Sequence, residues 1–375
     1  MDLTEKIKEY AKDIGFCRVG ITDSGDIAIY REILESRGED YIPWISKRGL
    51  GSDPKAEFPQ CQSVIVLAYD YVRQSFPPEL TKMVGRTYLA RCYNPREDSI
   101  CGARLALLEK FLKDQGLEVK QASNVPVRQL ARKAGIASFG KNNFAYVDGV
   151  GSFVILYAFL VDRKLKIDEP EVMSKCPKNC RLCIDACPTQ AILEPFHIKP
   201  QLCVGWNNWM RRRDDDSKFG AVVPRNLREK LGERIHGCDA CQEACPRNAR
   251  RLKADLPKDE LLELLKEKIR LEDVLLMDEE YYRRWIYPVM YNYITGLRLF
   301  RRNAAIAIGN TGDEKYIPAL KKAMEDPDGL IRLHCAWALG RIGGSGSREI
   351  LLSCKEKETS KEVAEEIDYA LENMR

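Results

Sequence analysis

Three stretches of the 375-residue chain follow different patterns, and together they predict an α+β protein of several domains. Up to about residue 165, apolar runs alternate with helical spacings, as in an α/β layer. Eight of the fourteen cysteines then fall between positions 176 and 245. Beyond residue 253 amphipathic helical patterns take over, and two segments there echo each other. The expected boundaries are 1–165 for an α/β domain, 166–252 for a cysteine module and 253–375 for a helical repeat.

In the first stretch, Ile7, Ala11 and Ile14 mark one face of an opening helix, and residues 15–21 turn into a first strand. Residues 63–69 (SVIVLAY) are apolar throughout, which predicts a strand buried on both faces. Leu105, Leu108, Phe111 and Leu112 keep helical spacing over 100–115, with Gly116 as the stop. A shorter helix carries Leu130, Ala131 and Ala134 and ends at Gly135. Residues 140–143 (GKNN) read as a polar, flexible loop with Lys141 in it. That loop lacks the full GxxxxGK[ST] pattern, so a nucleotide phosphate loop is not expected. Residues 144–147 and 152–161 are expected to pair as strands across the turn-rich spacer 148–151.

The cysteine module has a specific signature. Each of its two groups ends in Cys-x3-Cys-Pro, at Cys183/Cys187-Pro188 and Cys241/Cys245-Pro246, preceded by Cys180 and Cys238 at x2 spacing. That is the pattern of a ferredoxin-like module with two [4Fe-4S] clusters, in which the last cysteine of each run reaches across to the other cluster. The expected ligand sets are therefore Cys176, Cys180, Cys183 and Cys245 for one cluster, and Cys203, Cys238, Cys241 and Cys187 for the other. Cys176 departs slightly, standing at x3 from Cys180 where the usual run has x2. Zinc ribbons need neither the prolines nor a third cysteine per loop, and a disulfide framework needs an oxidising compartment to which nothing in the chain points.

In the third stretch, residues 302–309 (RNAAIAIG) echo 332–340 (RLHCAWALG) at about one helical-repeat length, predicting stacked helix pairs of HEAT type. Two such units are too few for a free solenoid and are expected to pack on the rest of the chain. Composition is that of a globular protein, with 45% hydrophobic and 31% charged residues. The longest apolar run, 153–161, is far below the roughly twenty residues that span a bilayer, so a cytoplasmic protein is expected, with no membrane partner. A net charge of +4 does not announce a nucleic-acid binder. Arg211, Arg212, Arg213, Arg225, Arg228, Lys230 and Arg234 form a local basic cluster that can touch phosphate, although Asp214, Asp215 and Asp216 adjoin it.

Several motifs in combination resemble the epoxyqueuosine reductase family, cobalamin-dependent iron-sulfur enzymes that complete queuosine in tRNA. They are residues 11–21 (AKDIGFCRVGI), 63–71 (SVIVLAYDY), 134–143 (AGIASFGKNN) with GSF at 151–153, 235–248 (IHGCDACQEACPRN), 302–313 (RNAAIAIGNTGD) and 335–344 (CAWALGRIGG). The resemblance runs along nearly the whole chain. It implies a base-off corrinoid in a cleft between the α/β domain and the cysteine module, with Lys141, Asn142, Ser152, Asp239 and Ala240 at or near the corrin. It also implies that one cluster feeds electrons to cobalt from an external donor, and that the helical repeat helps to hold the anticodon arm of tRNA.

One departure from that family stands out. Its proton donor is an aspartate ahead of the AGxxxxGKN motif, yet residues 119–147 here contain no carboxylate, and Gln121 and Val127 stand where acids are expected. Asn124 can hydrogen-bond a substrate but cannot protonate it, and Tyr88 and Tyr93 are the candidate substitutes. A related corrinoid-dependent reductase, or a cobalamin-reducing activator with another substrate, therefore stays open. So does a non-catalytic [4Fe-4S] carrier that docks a protein redox partner. His197, His236 and His334 are too few for a histidine-based site, and His236, beside Gly237-Cys238, reads as structural or as a neighbour of a cluster. Cys17, Cys61, Cys92, Cys101, Cys335 and Cys354 share no spacing and read as buried thiols. Cys92 and Cys101 flank a loop that can face the cleft.

Overall fold

The computed structural model of the chain describes residues 2–38, 51–171, 174–209, 219–290 and 296–374. Its centre is a four-stranded sheet in the order β1 (Arg18–Asp23), β2 (Ser63–Asp70), β6 (Val154–Val161), β3 (Val119–Gln121). Every position of β2 is buried. The period of two in a strand sends Ile65, Leu67 and Tyr69 to one face, against helices Leu3–Asp13 and Ile100–Asp114. It sends Val64, Val66 and Ala68 to the other, against helix Val127–Lys133. Both faces are thus covered, which is why the strand can be apolar throughout.

All pairings in this sheet are antiparallel. Local periodicity reveals that a strand is buried but not which way it runs, and the long connections here leave its direction free. The expected pairing of 144–147 with 152–161 is corrected. β5 (Ala145–Tyr146) pairs with β4 (Ser138–Phe139), and Val147 meets Gly151 in a single bridge. The hairpin stops there because Ser152 is taken by the cysteine module: its N–H donates to Asn248 Oδ1 at 2.8 Å and its hydroxyl to Gln242 Oε1 at 2.9 Å. β6 then runs onto β2 instead.

The three segments of sequence do not have three separate cores. One apolar core runs from Leu80 and Leu89 through Val223, Ile235 and Leu262 to Ala305, Leu339 and Ile367. The repeats supply helices Arg298–Thr311, Ile317–Ala323, Gly329–Ile342, Gly344–Lys355 and Lys361–Glu372. The glycine of each echoed motif marks a close helix approach. A Cβ on Gly309 would lie 2.8 Å from the Ala338 Cα, and one on Gly340 would lie 2.8 Å from the Ala370 Cβ. Arg302, the first residue of the first echo, is fully buried and donates to the carbonyls of Ala221 and Asn207, while Asn303 donates to those of Asn208 and Ile235. The repeats are thereby bolted to the second half of the cysteine module.

Candidate iron-sulfur centre and adjoining cleft

None of the fourteen cysteines is in a disulfide. In the module, proximity shows in how the thiols push one another up. Burial raises Cys183 first, and then its neighbours Cys176, Cys245 and Cys180 add to the shift. Cys241 is raised by burial and then by Cys238, Cys203, Cys187 and, last, Cys183. Burial pushes Cys238 up to about 11, and Cys203 up as well, the latter with Cys187 beside it. The fourth cysteine of each run thus has thiols of the other run beside it, Cys245 near Cys183 and Cys187 near Cys203 and Cys241. Among the described residues no three His, Cys, Asp or Glu side chains converge tightly enough for a single ion. Enclosed thiols that disfavour one another's ionisation fit an iron cluster, whose positive charge replaces their protons. Backbone supports this at Cys187, whose sulfur accepts the Ala191 N–H at 3.2 Å.

His236 is fully buried between Tyr88 (ring centroids 4.0 Å) and Phe300 (5.0 Å), and neither ring nitrogen has a partner. Burial alone pushes it down to about 3, so it is neutral.

Lys141 is not a solvated loop residue. It is buried, and its ammonium donates to the carbonyls of Pro177 (2.9 Å), Lys178 (2.7 Å) and Cys180 (2.9 Å), clamping the loop between the first two cysteines. Asn142, wholly buried, donates to Tyr146 Oη at 3.0 Å and to the carbonyl of Cys241 at 3.1 Å. Adjacent residues of one loop therefore grip both cysteine runs. A Lys141→Met chain should leave three carbonyls without their donor, at a cost of about 3 kcal/mol or more. Iron content after gel filtration should fall, and full iron retention would refute the clamp.

The other expected contacts are placed differently. Asp239 is buried and accepts from the Arg86 N–H (2.8 Å) and guanidinium (3.1 Å), and Ala240 starts helix Ala240–Glu243. Arg225 and Arg228 are corrected as phosphate ligands, because both pair with Glu366. Arg211–Arg213 and Asp214–Asp216 lie outside the described residues. Cys17 and Cys354 are only half-buried.

Beside the module lies a cleft of ≈ 1060 Å³. β3 covers β6 only from Phe159 to Val161, so Val154–Tyr157 runs on beyond that pairing as the cleft wall. Ile33, Leu34, Phe139 and Phe144 make it largely apolar, and Arg37, Arg128 and Arg132 bring guanidinium groups to it. Of the residues expected near the corrin, Ser152 lines it. Tyr93 lines it too, stacked on Tyr88 at 5.6 Å, whereas Asn124 is exposed outside it and donates its N–H to Glu57. Cys92, expected beside the cleft, lines it, and the sequence reading missed Tyr157 and Glu171, which line it too. They come from three distant segments, and no spacing joins them. A wide, mostly apolar cleft next to the cysteine module fits a large flat cofactor better than a small polar substrate.

Fold and site together define an iron-sulfur oxidoreductase. Residues 175–248 match the 4Fe-4S double cluster binding domain, and residues 298–372 match HEAT repeats. Epoxyqueuosine reductase of Bacillus subtilis (strain 168) is 30% identical over 389 residues, covering 99% of this chain and 95% of the relative. A solved structure of epoxyqueuosine reductase from Bacillus subtilis, with its aspartate catalytic loop swung out of the active site, superposes at a TM-score of 0.83. It is 25% identical and covers 100% of this chain and 99% of the other. Epoxyqueuosine reductase solved with an epoxyqueuosine-modified tRNA-Tyr stem loop gives 0.83, 26%, 99% and 98%. The chain belongs to the epoxyqueuosine reductase family. Among the described residues no helix is long and apolar enough to cross a membrane.

Proposed function

We propose that this chain reduces epoxyqueuosine to queuosine in tRNA, using two [4Fe-4S] clusters and a corrinoid held in the cleft. The observation that carries this reading is the 30% identity over nearly the full length of both chains, together with a large cleft placed against the cysteine module. Cys176, Cys180, Cys183 and Cys245 would hold one cluster, and Cys203, Cys238, Cys241 and Cys187 the other. When bound, the clusters supply low-potential electrons and a reduced corrinoid supplies a nucleophilic cobalt.

The protein's own residues do the positioning. Lys141 and Asn142 fix the two cysteine runs against the cleft, and Ser152 ties the cleft wall to Gln242 and Asn248 of the module. The wall Val154–Tyr157 would lie along a corrinoid held in the cleft.

A second reading, a related corrinoid-dependent reductase with another substrate, is favoured by one observation. Residues 119–147 lack any carboxylate, whereas the solved relative has an aspartate on its catalytic loop.

Anaerobic EPR during titration with cob(II)alamin is the first test, expected to give a base-off signal saturating at one per chain. Cobalamin that stays as in free solution would refute the corrinoid site. Incubation with epoxyqueuosine tRNA and a low-potential donor should then yield a nucleoside lighter by one oxygen atom, and an unchanged nucleoside would favour the second reading. Binding of tRNA should weaken steeply with salt as phosphate contacts release counterions, and salt-independent affinity would exclude them.

A further inference from the structure

Tyr157, Cys101 and Cys92 are brought together at the cleft wall from three segments of the chain. Cys101 Sγ lies 2.9 Å from Tyr157 Oη, and that hydroxyl points its proton at the Cys92 carbonyl, 3.3 Å away. The Cys92 thiol adjoins Cys101 and donates to the Ala90 carbonyl at 3.6 Å. Both are buried, while Tyr157 and Cys92 line the cleft. Cys101 sits in the first turn of the 15-residue helix Ile100–Asp114, where the helix dipole favours a thiolate. Resting on the function proposed above, we propose that Tyr157 is the proton donor of this cleft, and that the Cys101 thiol, hydrogen-bonded to its oxygen, tunes and resupplies it.

The vacancy that this fills is visible in the chain. Residues 119–147 carry no acid, and the Glu171 carboxylate at the cleft is ion-paired with Lys175 at 3.0 Å, a setting that suits an acceptor. Reduction of the epoxide consumes two electrons, from the low-potential donor through the clusters, and two protons, with the oxygen leaving as water. As the carbon–oxygen bond breaks, the Tyr157 O–H breaks and an O–H forms on the departing oxygen. The departing oxygen is alkoxide-like and strongly basic, which lets it take a proton even from a phenol that burial has made a weaker acid. The Cys101 S–H then breaks as the Tyr157 O–H reforms, and water reprotonates the thiolate. The second proton comes from solvent.

Electrostatics set the pH range. Burial first, then the neighbouring Cys101, pushes Tyr157 up, so the phenol keeps its proton until substrate arrives. The adjoining Cys92 is the largest influence on Cys101 and pushes it down; burial opposes, and Tyr157 and Ser99 add to the lowering. Cys92 is pushed up by Cys101 and by burial, against Arg91 and Arg73. Tyr69 and Tyr71, both pushed up by burial, also face the group, and Tyr93 adjoins Tyr157. A protonated Cys101 donates to the phenol oxygen and makes it the better acid; the thiolate does not. Turnover by this route is therefore complete below the Cys101 pKa and lost as pH rises through it.

In the cluster- and corrinoid-loaded protein, Tyr157→Phe should lower turnover of epoxyqueuosine tRNA about 100-fold with KM unchanged. Cys101→Ser should keep part of the rate and move the alkaline limb upward. Wild-type turnover and pH limb in Tyr157→Phe would overturn the proposal. A second readout needs no substrate. The S–H stretch of Cys101, read by Raman difference against Cys101→Ser across pH, should show a midpoint below the ordinary thiol value of about 8.5. That midpoint should rise in Tyr157→Phe, and equal midpoints in the two proteins would overturn the coupling. A wild-type protein inert toward epoxyqueuosine tRNA would sink the functional reading alone, and the S–H series would still decide whether the thiol and phenol act together.

Discussion

A Cys187→Ser chain should lose the same cluster as a Cys203→Ser chain, although Cys187 belongs to the first cysteine run. Iron should fall from about eight to about four atoms per chain in either variant. EPR of the reduced proteins should show one and the same remaining signal, and Cys245→Ser should leave the complementary one. The reason is geometric. The x3 step carries the last cysteine of each run away from the cubane that its x2 loop wraps, and Cys187 stands beside Cys203 and Cys241 whereas Cys245 stands beside Cys183. If Cys187→Ser instead matched Cys180→Ser, each run would close on its own cluster and the crossed assignment would be wrong.

The second large effect lies far from iron. Glu366, on helix Lys361–Glu372, is buried and accepts from Arg228 Nη1 at 2.7 Å and from Arg225 Nε at 3.0 Å. Arg228 is itself only 1% exposed and spends its Nε on the Val223 carbonyl at 2.7 Å. Removing one partner leaves a guanidinium uncompensated in the interior, so Glu366→Ala should destabilise the chain by about 3–5 kcal/mol. Urea unfolding of the cluster-loaded protein measures it. The double change Arg228→Met with Glu366→Leu should recover most of the loss, because an apolar pair of similar size carries no desolvation cost. A single variant within about 1 kcal/mol of wild type would mean that water reaches the pair.

These two expectations differ in how far the chain alone foretold them. The proposed crossed ligand sets rest on cysteine spacing, which is local and involves all eight thiols of the module. Local too were the buried strand at 63–69, the helix ending near Gly116, and the echo that becomes two packed helices. Each is set by side-chain period or by a turn within a few residues. The Arg228–Glu366 pair joins positions 138 residues apart, and from the sequence Arg228 belonged to a surface patch for phosphate. Lys141 and Asn142 were singled out beforehand, but only the folded chain gives them their work, since the carbonyls they grip lie 36 to 99 residues away.

The sheet's strand order and the single bridge at Val147 were equally out of reach, because periodicity carries no direction. Tyr157, Cys101 and Cys92 are the clearest case. One lies on a strand, one in a helix's first turn and one in a loop, and no spacing rule joins them. The residue pattern by itself determined the double-cluster module, the layered and repeat architecture and the family. Tertiary structure alone decided which polar groups are buried together, because their hydrogen bonds and shared loss of water come into being only when distant segments meet.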